Sequence, residues 1–362
     1  MSSFFRHALS QGPISRLSSC HLTRKVFQSP KATCRNPSIS VTAAAPGSSS
    51  PSSSAHSNNY PEHLLSAMLS GFLAPYWEIC PSAEHAIAEV ESWLPNAHVG
   101  FDHFAFRTFG VGGNDSGISS VSTWFIDLGY TEGGSFEFVN KKLRARWYKP
   151  PSPDLPRLFV SELKVEEMSE QTQKIIKKYA GGGDNTNSNT VPYAFSRYGP
   201  ATGFLGVTPW APPTIEEYKI LSEESEYAAW VLVNGWALNH TTLAVHRLTG
   251  LEGGISALNS YLKHQGLTFS EEGGEIKASP DGLLLQSSTV ADSREFEFAG
   301  GEVVLVPGAY IEFAERLVLP EYTHLKGSEI EEWHRRDGFE AASADRIFES
   351  TTAAAQKLAN ND

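Results

Sequence analysis

Apolar residues recur every three to four positions near residue 60, and this spacing is the period of a helix. The pattern predicts one helix from Pro61, over PEHLLSAMLSGFLAPYWEI, and a second from Ser82, over SAEHAIAEVESWL. Ser82 is a suitable N-cap for the second helix. From Val99 to Phe109 the pattern changes to an aromatic-rich alternation, VGFDHFAFRTF, which predicts a strand.

The same order of elements is predicted twice along the chain. After the first strand come a helix and three strands, at Ser120–Leu128, Ser135–Asn140, Leu143–Tyr148 and Arg157–Val165. The second half is predicted to contain a strand, a helix and three strands, at Trp236–Leu248, Ile255–His264, Leu283–Ser287, Arg294–Phe298 and Ala309–Ala314. The polar run Gly181–Thr190 is interpreted as a flexible loop between the halves.

A sequence repeat supports this duplication. His103 is followed 14 residues later by Gly-Ile-Ser from Gly117, and His240 is followed at the same distance by Gly-Ile-Ser from Gly254. A further glycine lies 26 residues after each histidine. The repeat predicts an α+β fold in which two βαβββ modules, about 97–180 and 230–318, form an open barrel with added helices.

The composition divides the chain before the fold begins. No Asp or Glu precedes Glu62, whereas six basic residues and many serines do. This composition is typical of an organelle transit peptide, and the abundant Ser favours a plastid, either chloroplast or amyloplast stroma. Residues 1–59 are therefore predicted to be a transit peptide, cleaved near Ala43, followed by a disordered tail. Residues 60–362 are predicted to form the folded part of the chain.

The charge of the remaining chain limits its partners. Without the presequence, 23 basic residues face 41 acidic ones, a net charge of −18. Such a surface repels nucleic acid and anionic membranes. No apolar run approaches the roughly 20 residues that span a bilayer. The sequence therefore predicts neither a nucleic-acid partner nor a membrane partner.

Three strands each carry one potential metal ligand on an otherwise apolar face. Alternate residues of a strand share a face, and these faces carry His103, His240 and Glu312. His103 and His240 occupy equivalent positions of the two modules, and Glu312 lies on the last strand of the second. Two histidines and one carboxylate with open coordination positions form the facial triad of non-haem iron(II) oxygenases.

Other residues compete for these roles. His246 lies further along the strand of His240, and Glu162 is the acid on the last strand of the first half, so each is a rival ligand or an assisting residue. Glu312 also has an alternative role as half of an ion pair with Arg316. Arg107 lies about 13 Å beyond His103 on the same predicted face. It is a candidate for binding the far carboxylate of a short diacid.

Several motifs together resemble the 2-oxoadipate dioxygenase/decarboxylase family, in particular its plant plastid members. They are HFAFR from His103, FVSEL from Phe159, Asn239-His240, YIEFAER from Tyr310 and DGFEAASADRIFEST from Asp337. The resemblance covers the chain from about Pro61 to its end, and it implies that residues 60–362 are the catalytic domain, with a C-terminal closing segment at 319–362. It implies a fold related to the vicinal-oxygen-chelate proteins.

The resemblance also implies an activity and a set of site residues. The expected cofactor is Fe(II), and the expected substrates are dioxygen and 2-oxoadipate from lysine catabolism, with 2-hydroxyglutarate and CO₂ as products. The implied metal ligands are His103, His240 and Glu312, the implied substrate-binding and catalytic arginine is Arg107, and Ser343 is a further substrate contact. The alternative functions are another enzyme on this fold, or a metal-free plastid scaffold protein affecting starch or storage metabolism.

Overall fold

In the computed structural model, helices and strands are described for residues 60–111, 117–180 and 199–340. Seven α-helices lie within these ranges: α1 (Tyr60–Ile79), α2 (Pro81–Trp93), α3 (Ile118–Ile126), α4 (Glu170–Ala180), α5 (Ile215–Glu224), α6 (Glu226–Asn234) and α7 (Gly254–His264). Short 3₁₀ turns link several of them. None of the helices in these ranges is long and apolar enough to cross a bilayer.

Ten strands lie in the same ranges: β1 (Phe101–Gly110), β2 (Thr131–Phe138), β3 (Leu143–Lys149), β4 (Arg157–Lys164), β5 (Leu238–Ala244), β6 (Lys277–Ala278), β7 (Leu284–Ser288), β8 (Ser293–Glu297), β9 (Val303–Pro307) and β10 (Tyr310–Arg316). Eight of them form one sheet in the order β2-β3-β4-β1-β5-β10-β7-β6, and β8 and β9 form a separate hairpin. The large sheet curls into a half-barrel.

The strand order confirms the predicted duplication. Read from either outer edge, the sheet has the same topology: β2-β3-β4-β1 on one side and β6-β7-β10-β5 on the other. In each half the first strand is parallel to the last, β1 to β4 and β5 to β10. The halves meet where β1 and β5 pair antiparallel. The first and last strands of both modules therefore occupy the centre of the sheet.

The repeated Gly-Ile-Ser motif has a physical cause. Glu162 at the end of β4 accepts a hydrogen bond from the backbone N–H of Ile118 (2.6 Å), the first residue of α3. Glu315 on β10 does the same for the N–H of Ile255 (2.8 Å) at the start of α7. The preceding Gly117 and Gly254 both have φ of +58°, and a Cβ on either would collide with the capping carboxylate. Each module thus uses one acid and one glycine to hold its helix against the sheet.

The fold also departs from the predicted elements. The second module's Arg294–Phe298 segment was expected in the main sheet, but β8 pairs with β9 instead. Strand β7 holds the place next to the last strand, and the short β6 forms the sheet edge. The strand expected to run to Leu248 ends at Ala244 and is followed by a 3₁₀ turn. Helices α4, α5 and α6 were not predicted, and the polar run Gly181–Thr190, interpreted as a flexible loop, lies outside the described residues.

The β8–β9 hairpin supports α6. Phe298 and Val306 of the hairpin region pack on Val233 of α6. Arg294 donates hydrogen bonds to Asn234 Oδ1 (2.8 Å) and to the Val233 carbonyl. Helix α6 in turn contacts β1, on the stretch that carries the candidate arginine. The insertion therefore stabilises the helix beside one end of the candidate site.

Candidate metal centre

Two β-bulges determine the orientation of the candidate histidine side chains. Between the pairs Phe101–Leu243 and His103–Thr242, strand β1 has one extra residue, Asp102. Further along the same ladder, β5 has one extra residue, Asn239. A bulge turns a residue out of the alternation, so it brings adjacent side chains together. Each histidine therefore lies beside the side chain of the residue that precedes it.

These preceding residues fix the ring tautomers. His103 Nδ1 lies 2.8 Å from Asp102 Oδ1, and His240 Nδ1 lies 3.1 Å from Asn239 Oδ1. A carboxylate or amide oxygen only accepts, so each Nδ1 carries the proton and each Nε2 presents a lone pair. Burial lowers the pKa of both rings, and for His240 the neighbouring His103 and Arg107 side chains also disfavour the protonated form. Both rings are therefore neutral, as metal ligation requires.

Glu312 faces both lone pairs from β10. Its carboxylate oxygens lie 3.1 Å from His240 Nε2 and 3.7 Å from His103 Nε2. Burial raises the pKa of Glu312 to about 8, while the nearby charge of Lys277 and a hydrogen bond from Thr242 oppose the rise. In the metal-free protein, burial therefore favours the protonated form of this carboxyl. A divalent cation would displace that proton.

The three predicted side chains come together in one buried cluster. One ligating atom from each of His103, His240 and Glu312 lies within 4.8 Å of the other two. The Thr242 hydroxyl lies in the same cluster, 2.9 Å from His103 Nε2 and 3.4 Å from Glu312 Oε2. Two neutral imidazoles and one carboxylate are the donor set of a non-haem iron(II) site, so these residues fit such a metal.

Arg107 lies beyond this cluster on β1. The side chain is buried, and its guanidinium carbon lies 5.1 Å and 5.4 Å from the ring centres of Tyr227 and Trp230 on α6. Burial raises the pKa of the Tyr310 hydroxyl well above its usual value, the charge of Glu312 raises it further, and the charge of Arg107 opposes the rise. Arg107 is thus placed to meet an anionic group that extends from the cluster.

Asp102 connects the cluster to the segment after β10. Arg316 binds the Asp102 carboxylate through two nitrogens, at 2.5 Å and 2.9 Å. Burial opposes ionisation of Asp102, but the guanidinium of Arg316 and the hydrogen bond to His103 hold its pKa well below the usual range. Arg316 also donates to the carbonyls of Arg336 and Gly338. One arginine therefore fixes both the carboxylate behind His103 and the start of the closing segment.

The closing segment packs directly on the cluster. Phe339 lies edge-on to the His103 ring, with centroids 4.8 Å apart, and also contacts Phe159 and Trp147. Arg157 binds Asp337 at 2.9 Å and Glu332 at 3.2 Å. These contacts hold residues 332–339 over the first histidine. Ser343, the further substrate contact suggested by the sequence, lies outside the described residues.

Neither rival ligand joins the cluster. Glu162 caps α3 and forms an ion pair with Arg144, so its carboxylate is committed to the helix. His246 lies in the 3₁₀ turn after β5, where its Nδ1 accepts from the Arg316 backbone N–H (3.3 Å) and its Nε2 faces Glu332 (3.3 Å). The expected strand face did not extend to His246, because β5 ends two residues earlier.

Sequence reasoning missed four residues of this site: Asp102, Asn239, Thr242 and Phe339. The Asp-His and Asn-His dipeptides were visible, but strict strand alternation places the first residue of each on the opposite face. Only the bulges bring them beside the imidazoles. The first-module residue equivalent to Glu312 is Phe159. Phe159 lies two residues beyond Arg157, the strand partner of His103, and Glu312 lies two residues beyond Tyr310, the strand partner of His240.

Comparisons with known proteins agree with this geometry. The sequence pattern of the 2-oxoadipate dioxygenase/decarboxylase family matches residues 88–328. The chloroplastic 2-oxoadipate dioxygenase/decarboxylase of Arabidopsis thaliana is 47% identical over 277 residues, covering 74% of this chain and 72% of the relative.

Two solved structures are also similar to this chain. The hydroxyglutarate synthase of Oryza sativa, crystallised with 2-oxoadipate, is 42% identical with a TM-score of 0.74, over 85% of this chain and 98% of that one. A glyoxalase superfamily protein from Ralstonia eutropha is 21% identical with a TM-score of 0.57, over 78% of this chain and 87% of that one. This second likeness supports the fold alone.

Proposed function

The chain belongs to the 2-oxoadipate dioxygenase/decarboxylase family, and from this premise we propose that it converts 2-oxoadipate and dioxygen into 2-hydroxyglutarate and CO₂ in plastids. One carbon leaves as CO₂, and both atoms of dioxygen remain in the products. The keto carbon becomes a carboxylate, and the neighbouring carbon gains a hydroxyl. Because the substrate supplies both the 2-oxo acid and the carbon that is hydroxylated, no second organic substrate is required.

The convergence of His103, His240 and Glu312 carries this proposal. They would hold iron(II), which supplies the redox chemistry that allows dioxygen to react with an organic acid. Three protein ligands would leave coordination positions for the substrate. Phe159, the first-module equivalent of Glu312, contributes no fourth ligand. The protein thus provides a site that is incomplete until the substrate enters.

The surrounding residues orient the substrate and exclude water. Arg107 binds the far carboxylate of the diacid, which fixes the carbon chain relative to the ligands and selects for its length. Asp102 and Asn239 hold the two imidazoles in one tautomer, so the donor atoms are preorganised. Phe339 covers His103 and limits the entry of solvent from the side of the closing segment.

The location follows from the relatives and from the N-terminal composition. The Arabidopsis relative is chloroplastic, and residues 1–59 of this chain carry no acid and six basic residues. Import into plastids is tested by fusing residues 1–59 to a fluorescent protein. Plastid fluorescence supports the assignment, and uniform cytosolic fluorescence contradicts it.

Isotope labelling tests the reaction itself. The iron-loaded protein is mixed with 2-oxoadipate under ¹⁸O₂, and the products are analysed by mass spectrometry. We expect one ¹⁸O in the new hydroxyl and one in the new carboxylate of 2-hydroxyglutarate, with one CO₂ released per dioxygen consumed. Unlabelled 2-hydroxyglutarate, or no CO₂ release, would contradict a dioxygenase.

A further inference from the structure

A buried hydroxyl beside the candidate metal centre has no hydrogen-bond partner. The side chain of Tyr310 is fully buried, and its hydroxyl forms no hydrogen bond with any described residue. The charges of Arg107 and Glu312 both act on this hydroxyl, but neither side chain meets it at hydrogen-bonding geometry. Burial takes a hydroxyl out of water, and without a replacement bond this opposes folding. An unpaired hydroxyl at this place therefore points to a ligand that enters the site.

The strand registers place Tyr310 between the cluster and Arg107. Tyr310 on β10 and Ala105 on β1 are the two strand partners of His240. Arg107 lies two residues beyond this row along β1, and Glu312 lies two residues along β10 on the other side of the row. Two residues of a strand span about 7 Å. A substrate that reaches from the metal ligands to Arg107 must therefore pass Tyr310.

The contacts of Tyr310 fix its ring but do not use its hydroxyl. The ring packs on the ring of His240, with centroids 4.8 Å apart, and on Ala291. The Tyr310 carbonyl accepts a hydrogen bond from the Tyr76 hydroxyl (2.6 Å). A phenylalanine at position 310 would make all of these contacts, so packing does not explain the hydroxyl.

The far carboxylate of a bound diacid is the acceptor that fits this hydroxyl. A neutral phenol donates one hydrogen bond. The carbon chain of a 2-oxo diacid offers no acceptor between its two ends, and the keto end is the one that reaches the metal in the proposed reaction. The other carboxylate has about four lone-pair sites, of which the guanidinium of Arg107 can fill two. A second donor can therefore bind the same carboxylate.

We propose that Tyr310 donates a hydrogen bond to the far carboxylate of the diacid, beside Arg107, and is thus a specificity-determining residue. This inference rests on the proposed function, because it assumes a 2-oxo diacid at the metal. Tyr310 then acts on diacids and not on 2-oxo acids that end in a methyl group.

Two acids separate this role from a role at the metal. Binding of 2-oxoadipate and of 2-oxohexanoate, which lacks the far carboxylate, is measured by calorimetry on the Fe(II)-loaded protein without oxygen. For Tyr310→Phe, which removes only the hydroxyl, we expect 2-oxoadipate to bind about 10- to 100-fold more weakly, because a hydrogen bond to a charged group is lost. The affinity for 2-oxohexanoate should stay within a factor of about two.

Tyr130→Phe is the matched control. Tyr130 is also a buried tyrosine, but its hydroxyl donates to the Pro156 carbonyl (2.8 Å). This variant should lower the unfolding temperature and leave both acid affinities unchanged. Tyr310→Phe should unfold at the wild-type temperature or above it, since the hydroxyl that it loses has no partner in the free protein. A lower unfolding temperature with unchanged acid binding would mean that the Tyr310 hydroxyl is only structural.

Three binding results would overturn the inference. Unchanged affinity of Tyr310→Phe for 2-oxoadipate would show that the hydroxyl does not contact the substrate. Equal weakening of both acids would assign it to the end of the substrate at the metal. Weaker Fe(II) binding, with normal acid binding by the iron-saturated variant, would make it a support for Glu312 alone. A wild-type protein that binds neither acid with iron would contradict the proposed function instead.

Discussion

The two βαβββ modules share a backbone but differ in chemistry. In both, the last strand supplies a glutamate that caps the module helix, Glu162 in the first and Glu315 in the second. In both, a bulge precedes the histidine. At the third ligand position, however, the first module has Phe159 where the second has Glu312. Duplication thus explains the two imidazoles, and divergence explains why only one carboxylate accompanies them.

The surroundings of the two histidines differ as well. His103 lies against the charged Asp102, which Arg316 and Arg157 connect to the closing segment. His240 lies against the neutral Asn239 and packs on the Tyr310 ring, with centroids 4.8 Å apart. One candidate ligand is therefore held by an ionic network, and the other by a neutral hydrogen bond and ring packing. In the described part of the closing segment, Phe339 packs on the ring of His103.

The largest effect is expected at the position where the modules differ. Glu312→Gln removes the carboxylate from the three candidate ligands, so we expect Fe(II) affinity to fall more than about 100-fold, beyond the loss typical of a residue behind a ligand. The matched control is Phe159→Leu, at the equivalent position of the first module. It should cost about 1 kcal/mol of stability and leave metal affinity unchanged. Anaerobic metal titration and denaturant unfolding measure both quantities. Equal losses of metal affinity would refute the assigned asymmetry.

A smaller difference in metal affinity and stability is expected between variants of Asp102 and Asn239, the residues that hydrogen-bond to the two histidines. Asp102→Asn removes the charge that orients His103 and leaves Arg316 buried without its partner. We expect a 10- to 100-fold loss of metal affinity and about 3–5 kcal/mol of destabilisation. Asn239→Ala removes one neutral hydrogen bond, which should cost about 1 kcal/mol and reduce metal affinity less than tenfold. If the Asn239 variant is the weaker metal binder, the ionic network is not what fixes the site.

The helix caps should behave alike in the two modules. Glu162→Gln and Glu315→Gln each weaken a charged cap, so each is expected to cost about 1–2 kcal/mol of unfolding free energy. Neither residue contacts the cluster, so metal affinity should stay within a factor of two of wild type. Denaturant unfolding and metal titration of the two variants check this equality. A large loss of metal affinity in Glu162→Gln would return that residue to the list of rival ligands.

The smallest expected effect is a pH dependence of the stability that Asp337 of the closing segment contributes. Burial opposes ionisation of Asp337, but Arg157 and Lys149 lower its pKa to about 2 from an ordinary value near 3.8. Because the folded-state pKa is depressed, the stability from this ion pair is complete above about pH 4 and is lost as the pH falls toward 2. Asp337→Asn should thus be less stable than wild type at pH 6 and equally stable near pH 2. A difference that persists unchanged at pH 2 would contradict this role.

Much of this architecture could be predicted from the sequence because it follows from local patterns. The spacing of His103 and His240 from their Gly-Ile-Ser motifs revealed the duplication, and alternation placed Glu312 on the correct face. The chemical reason for the motif became visible only in the fold, where Glu162 and Glu315 meet the helix ends. These glutamates are 44 and 60 residues from the N–H groups that they cap.

The parts that could not be predicted depend on breaks in those patterns. A bulge at Asp102 leaves no simple periodic signal, so its partnership with His103 was hidden. The early end of β5 removed His246 from the face that alternation had given it. The hairpin of β8 and β9 is a pair of ordinary amphipathic strands, and only tertiary packing on α6 excludes it from the main sheet.

The most direct test of the central claim is an anaerobic Fe(II) titration of the chain from about Ala44, in wild type, His240→Ala and the control Glu162→Gln. The account predicts one iron per chain in wild type and in the control, with loss of binding in His240→Ala. No iron binding in the folded wild type, or one iron per chain in His240→Ala, would contradict it. The first of these results would favour a metal-free scaffold protein.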